Sequence, residues 1–176
     1  FKMSISCSVE DSKNTSPPDV HYRRFLKHKK KYSFKNTKII SFIKAHNHSI
    51  WALSMSPDGK YVVSGGEDKI IILYSILNEQ PFLKIKQKYN GHQSDIVHLS
   101  WSNDNFILSC SLDSTVRLWN PAQKDVVSVF KHEDAVTSAE FKPNDSNEFV
   151  SCTFGLAAYV WNVTDHIIIK TIKFNS

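Results

Sequence analysis

One unit of sequence is written three times in this chain of 176 residues. The central copy, GHQSDIVHLSWSNDNFILSCSLDSTVRLWN over Gly91 to Asn120, opens on Gly-His, runs through two alternating apolar segments, turns at an Asp and closes on Arg-Leu-Trp-Asn. Imperfect copies flank it, from Ala45-His46 to Leu73-Tyr74 and from Lys131-His132 to Val160-Trp161-Asn162. The loop histidines, His46, His92 and His132, are 46 and 40 residues apart, and each stands 27 to 29 residues before the aromatic that closes its copy. A fixed period of this length confines the chain to stacked supersecondary units. Within a copy the apolar runs are short, alternate, and are bounded by Gly, Asn, Asp and Pro, which is strand patterning.

A period of about 40 residues with a Gly-His opening and a Trp close is the signature of a WD repeat, with four strands to a blade. On these residues the sequence resembles the WD40 β-propellers, over residues 38–174. The resemblance implies an all-β fold of three blades, over about residues 45–89, 91–130 and 131–174, preceded by one outer strand of another blade at Lys38–Lys44. Thirteen strands and no helix are expected. Rings of this kind close with about 4 to 8 blades. Three blades therefore read as a partial ring from a longer protein, in keeping with a first residue, Phe1, that is not Met.

Turn chemistry marks the strand boundaries. Pro57-Asp58-Gly59, Asn103-Asp104-Asn105 and Pro143-Asn144-Asp145 separate the first and second strands of the copies, and Glu67-Asp68, Asp113 and Gly155 separate the second and third. By the family resemblance, each blade carries a buried hydrogen-bonded set made of the loop His, a Ser of the second strand, the turn Asp and the third-strand Trp. The central copy has the full set in His92, Ser109, Asp113 and Trp119. The first has His46, Ser64 and Asp68 with Tyr74 in place of Trp, and the third has His132, Ser151 and Trp161 with Gly155 in place of Asp. Tyr74 keeps a donor, whereas Gly155 removes an acceptor, so the third set is expected to be the looser unless a neighbour substitutes.

A Ser, a His and an Asp that recur together invite comparison with a nucleophilic triad. They recur here with an aromatic partner and without a G-x-S-x-G elbow, so the structural reading is preferred and no catalytic residue is assigned. The imidazole is expected to bridge the Asp and the Trp indole N–H. No metal site and no cofactor are expected: His46 and His48 lie in one loop without Cys or acid at ligand spacing. Cys7, Cys110 and Cys152 show no CxxC spacing, and Cys110 and Cys152 share one repeat position, held in the first copy by Gly65. That equivalence describes a small buried strand residue.

Function must then come from surfaces. In propellers of this family the face that carries the His loops, around the mouth of the central channel, commonly binds peptides or partner domains. Trp51, Val97 and Thr137, at the start of the innermost strands, are expected to line that mouth, ringed by Asn47, His48, Gln93, Asp95, Glu133 and Asp134. Trp51 is the sharpest candidate, since aromatics are enriched at hot spots; its competing role is ordinary packing between blades.

The net charge of +5 is unevenly spread. Residues 21–38 hold eight Lys or Arg and no acid, so the rest of the chain is mildly acidic. Residues 1–20 lack hydrophobic periodicity and read as a disordered lead-in. In the arm that follows, residues 21–37, Arg23, Arg24, Lys27, Lys29, Lys30 and Lys31 are interleaved with Tyr22, Phe25, Tyr32 and Phe34. Such an arm suits an anionic membrane surface, where each cation contributes about 1 kcal/mol; phosphate contacts to nucleic acid, a nuclear localisation signal or a solvated linker are the alternatives. Neither a transmembrane run nor a signal peptide is apparent, which points to a cytoplasmic protein, membrane-associated through the arm, with the nucleus as alternative.

Two further stretches narrow the resemblance: Ser100-Trp101-Ser102 ahead of FILSCSLDSTVRLWN, and Phe130-x-His132-x-x-x-Val136-Thr137-Ser138 ahead of FKPND. With the KHKKKY run before an Ala-His-x-x-x-Ile-Trp opening, they resemble a subgroup of WD proteins that includes a rabphilin-like Rab GTPase effector of endosomal recycling. The implied role is a non-catalytic protein-interaction scaffold in vesicle trafficking or signalling, with no small-molecule substrate. A nuclear or nucleic-acid-associated WD protein and a substrate receptor of a ubiquitin ligase are the alternatives.

Overall fold

The structure is a computed structural model that describes residues 42–174. Twelve strands follow in chain order: β1 Ile50–Met55, β2 Tyr61–Gly66, β3 Ile71–Ile76, β4 Leu83–Tyr89, β5 Ile96–Trp101, β6 Ile107–Ser111, β7 Thr115–Trp119, β8 Val126–Lys131, β9 Val136–Lys142, β10 Asp145–Thr153, β11 Ala157–Asn162 and β12 Ile167–Lys173. They make three four-stranded antiparallel sheets, β1-β2-β3-β4, β5-β6-β7-β8 and β9-β10-β11-β12. No helix occurs among the described residues. The first strand of the middle sheet, β5, packs between β1 and β9, so the three inner strands gather on one side and the sheets fan outward from them.

The turns repeat their backbone as well as their position. Gly59, Asn105 and Asn144 lie in the left-handed region, with φ of 69°, 64° and 61°, between the first two strands of each sheet. Gly and Asn enter that region at least cost, which is why these turns were visible as composition. Between the second and third strands the left-handed residues are Lys69, Ser114 and Leu156. Leu156 has no local side-chain device to ease that conformation, and its turn is the one that lacks the acid.

Two apolar seams join the sheets. Ala52, Val63, Ile71, Leu73 and Tyr89 of the first sheet form one cluster with Ile96, Leu99, Trp101, Ile107 and Trp119 of the second. Leu108, Cys110, Val116, Leu118 and Phe130 of the second join Val136, Ala139, Phe149 and Trp161 of the third. Strands buried on both faces read as unbroken apolar or small runs, as in ILSCS of β6, where every residue is buried.

Equivalent residues show what each seam does. Leu99 and Trp101 on β5 and Ala139 and Phe141 on β9 all belong to the seam with the preceding sheet. Their counterparts on β1, Leu53 and Met55, are 51% and 61% exposed. On the opposite face, Val63 and Leu108 are fully buried by the following sheet, whereas Val150 in the same position is 40% exposed.

The outer strand expected over Lys38–Lys44 is not formed where it is described. Phe42, Ile43 and Lys44 belong to no sheet, and residues 38–41 lie outside the described residues. A strand is defined by ladder hydrogen bonds, and no described neighbour offers them to this segment. Apolar packing holds it instead: Ile43 and Ala45 lie against the cluster of Val62, Ile72 and Tyr74. Ile43 thus covers the cluster that holds Tyr74, while Tyr89 packs on Trp119, at 5.3 Å between ring centroids, and Phe130 on Trp161, at 5.4 Å. The residues assigned above to the lead-in and the basic arm, Arg23, Arg24, Lys27, Lys29, Lys30 and Lys31 included, lie outside the described residues.

Candidate functional site

The recurrent polar set is assembled within each sheet from the loop before its first strand, the middle of its second and the end of its third. In the second sheet the indole N–H of Trp119 donates to Ser109 Oγ at 2.8 Å. Ser109 Oγ lies 2.7 Å from His92 Nε2, and His92 Nδ1 lies 2.8 Å from Asp113 Oδ2. With neutral His92 each proton has one place: Trp119 donates to Ser109, Ser109 donates to His92, and the Nδ1–H of His92 donates to the carboxylate. The serine is therefore the bridge, and the direct imidazole–indole hydrogen bond expected from the sequence is absent here, because Ser109 Oγ takes the indole N–H and meets His92 Nε2.

Burial and hydrogen bonding fix these charge states. Burial holds the His92 pKa below its usual value against the opposing pull of Asp113. Burial would raise Asp113, but hydrogen bonds from His92, from Thr115 and from the Gln93 N–H outweigh it and keep the carboxyl well below the usual range. Ser109 is fully buried and its oxygen is committed to two ring nitrogens, so no substrate reaches it as a nucleophile.

The two variant sets are completed by other atoms. In the first sheet His46 bonds Ser64 Oγ at 2.6 Å and Asp68 at 2.8 Å, and the Tyr74 hydroxyl meets Ser64 Oγ at 3.0 Å, where the indole would stand. In the third, His132 Nε2 lies 2.7 Å from Ser151 Oγ, and Trp161 Nε1 lies 3.0 Å from Ser151 Oγ and 3.2 Å from His132 Nε2. The acceptor missing at Gly155 is replaced by the carbonyl of Phe130, 3.2 Å from His132 Nδ1. Burial lowers the His132 pKa, with that carbonyl opposing it. Cys110 is buried, which pushes its thiol pKa up, and Cys152 is half-buried. Among the described residues no three His, Cys, Asp or Glu side chains are grouped to hold a metal ion.

The surface candidates have a different origin. Each inner strand begins with a β-bulge: the register slips between Ile50 and Ala52, between Ile96 and His98, and opposite Cys152 and Thr153, where Val136 and Ser138 are the paired residues. The extra residue is Trp51, Val97 and Thr137 respectively. A bulged residue leaves the ladder and its side chain is re-aimed. Trp51 is 58% exposed, and its indole N–H reaches Asp95 Oδ2 of the next sheet at 3.2 Å. It is thus both a surface aromatic and a tie between neighbours. Val97 packs against the second seam, and Thr137 donates to the Cys152 carbonyl at 3.2 Å.

The loops and turn tips around these strands share one end of the molecule. Glu67 N–H donates to Ser49 O, Leu112 N–H to Asp95 O and Phe154 N–H to Ala135 O. His48, Gln93 and Asp134 are exposed there, and Asp95 is partly exposed. Three residues of this end were not among the surface candidates read from the sequence: Leu112, Phe154 and Glu67, all exposed at the tips between second and third strands. Their signal was an apolar or charged residue at a turn tip, next to the position of the conserved-looking acid.

Three antiparallel four-stranded sheets fanning from a common set of inner strands are blades of a β-propeller. A family model, WD domain, G-beta repeat, matches residues 37–75 and 83–120. A WD repeat-containing protein of Schizosaccharomyces pombe is 30% identical over 148 residues, covering 69% of this chain and 25% of the relative. WD repeat-containing protein 44 of Xenopus laevis is 41% identical over 78 residues, covering 44% of this chain and 9% of the relative. The solved structure of U3-55K superposes with a TM-score of 0.67 at 22% identity, over 74% of this chain and 41% of that one. The family model and the WD-repeat relatives thus support the WD40 repeat family, and the fold is that of WD40 propeller blades. The chain spans a quarter or less of the length of these two curated relatives.

Proposed function

We propose that this chain is a non-catalytic protein-interaction scaffold whose partners engage the end that carries the His loops. The observation that carries the reading is the threefold bulge at Trp51, Val97 and Thr137, which puts three unlike residues at one repeat position beside the His loops and leaves Trp51 exposed there. The buried sets keep the His–Ser pair and an aromatic donor in all three blades and serve the fold, whereas His48, Gln93, Asp95 and Asp134 around the bulges follow no repeat pattern. Proteins or peptides are the partners that such a face accommodates. Within that reading, the basic arm gives contact with an anionic membrane surface, and a cytoplasmic, membrane-associated role in vesicle trafficking or signalling follows from the subgroup resemblance.

The test is affinity capture with three forms of the chain: wild type, Trp51→Ala, and a charge-neutralised arm with Lys27, Lys29, Lys30 and Lys31 changed to Ala. Loss of partners with Trp51→Ala supports the mouth, and loss of vesicle binding with the neutralised arm supports the membrane contact. Unchanged capture by both variants overturns both sites.

A further inference from the structure

The interaction face sets exposed apolar side chains beside carboxylates, and this combination defines the chemistry of what it takes. Trp51, Leu112 and Phe154 are exposed at 58%, 38% and 64% on this one end. Loop contacts hold them at equivalent places: the Trp51 indole donates to the Asp95 side chain and Leu112 N–H to the Asp95 carbonyl, while Phe154 N–H donates to the Ala135 carbonyl, beside Asp134. An apolar platform of this kind marks a place where another molecule is received.

The carboxylates between the apolar groups are unneutralised. Among the described residues, Glu67, Asp95 and Asp134 take part in no salt bridge, while Asp58, Asp145 and Glu148 at the other end of the blades are each paired with a lysine. Each of the three accepts a single neutral N–H: Ser49 to Glu67, the Trp51 indole to Asp95, and Ala135 to its neighbour Asp134. Two or more lone pairs on every carboxylate are therefore left for a donor from outside. The indole N–H also holds the Asp95 carboxylate at the edge of the aromatic ring, so a segment that carries a cation beside an apolar group meets both at once.

We infer that the face takes a cationic protein segment: Lys or Arg residues flanking one large apolar side chain, the apolar group on Trp51, Leu112 and Phe154 and the cations on Asp95, Glu67 and Asp134. The inference rests on the reading of this end as the interaction face and specifies its partner. Phosphate-bearing partners, such as nucleic acid or an anionic membrane, are repelled from this end by the same carboxylates.

The experiment uses the whole chain and three synthetic fifteen-residue peptides with a central Phe, flanked by Lys and Arg, by Glu, or by Ser. Binding is followed by fluorescence anisotropy, with thermal melts of each variant to verify folding. The cationic peptide is expected to bind at least about tenfold more tightly than the other two and to weaken as salt is raised past the range where surface charges are screened. Asp95→Asn with Asp134→Asn is expected to remove about tenfold of that affinity, and Trp51→Ala at least as much. Equal binding of the three peptides, no binding of the cationic one, or no effect of the amide variants overturns the inference. The capture test with Trp51→Ala judges the face itself separately, since a lost natural partner beside indifferent peptides keeps the face and rejects the charge preference.

Discussion

Asp134 occupies the space that an acid at position 155 would need: a Cβ built on Gly155 would lie 3.1 Å from Asp134 Oδ2. In the third blade a loop carboxylate lies over the turn, and His132 Nδ1 faces the Phe130 carbonyl. Restoring the family residue should therefore fail. Gly155→Asp places two carboxylates together and crowds the turn, and is expected to destabilise the chain by about 1 kcal/mol. Combining it with Asp134→Ala should recover most of that loss in chemical denaturation.

The serine bridge predicts an order among deletions. Ser109→Ala strands the Trp119 N–H and His92 Nε2 in a buried site and is expected to cost about 3 kcal/mol. Tyr74→Phe removes one hydroxyl partner and leaves His46–Ser64 in place, at about 1 kcal/mol. Equal losses in urea unfolding would show that the sets do not share one logic.

Acid should loosen the middle blade in two stages. His92 is held below its usual pKa, so its contribution is complete above about 6.5 and declines as pH falls from there toward the folded value. Asp113 is also depressed, so its contribution is present above about 3.9 and is lost as pH falls through its lower folded value. Melting temperatures measured down from neutral pH should fall for wild type. In His92→Gln the first stage should shrink to the part that His132, whose pKa burial also lowers, contributes.

Tyr89 gives the opposite sign at high pH. Its hydroxyl is buried without a partner, and burial pushes its pKa up to about 12. The neutral form is favoured in the folded state, so stability is complete below about 10 and is lost as pH rises from there through the folded value. Tyr89→Phe should leave neutral-pH stability unchanged or slightly higher, since it removes an unsatisfied group, and should flatten the alkaline decline.

Repeat equivalence separates two kinds of leucine. Leu99→Ala opens a cavity in a seam and is expected to cost about 2 to 5 kcal/mol. Leu53→Ala, at the same repeat position on an open face, should stay within about 0.5 kcal/mol. Comparable losses would mean that the face at Leu53 is covered in solution.

Much of this fold could be read from residues because the chain supplies its own comparisons. Three spaced histidines set the period, Gly59, Asn105 and Asn144 marked turns that need a left-handed residue, and alternation gave the strands. The route of the hydrogen bonds was not legible. Nothing in sequence order says that Ser109 separates His92 from Trp119, or that a backbone carbonyl replaces the acid missing at Gly155, because both depend on where rings point across strands. The interaction face was half legible. Trp51 stood out by type, but Leu112 and Phe154 looked like ordinary strand-end residues until the turns brought them beside the His loops.

The seating of Ile43 on Tyr74, Tyr89 on Trp119 and Phe130 on Trp161 has a consequence for how such a chain can be rearranged. Trp119 and Trp161 each take their cover from the sequence copy before their own, so neighbouring copies are matched partners of particular size. Exchanging the second and third copies would set Tyr89 on Trp161, part Phe130 from its aromatic, and repack both seams. The order of the blades is written into their interiors, and a permuted chain would have to be redesigned at these three pairs before its surface faces could be compared.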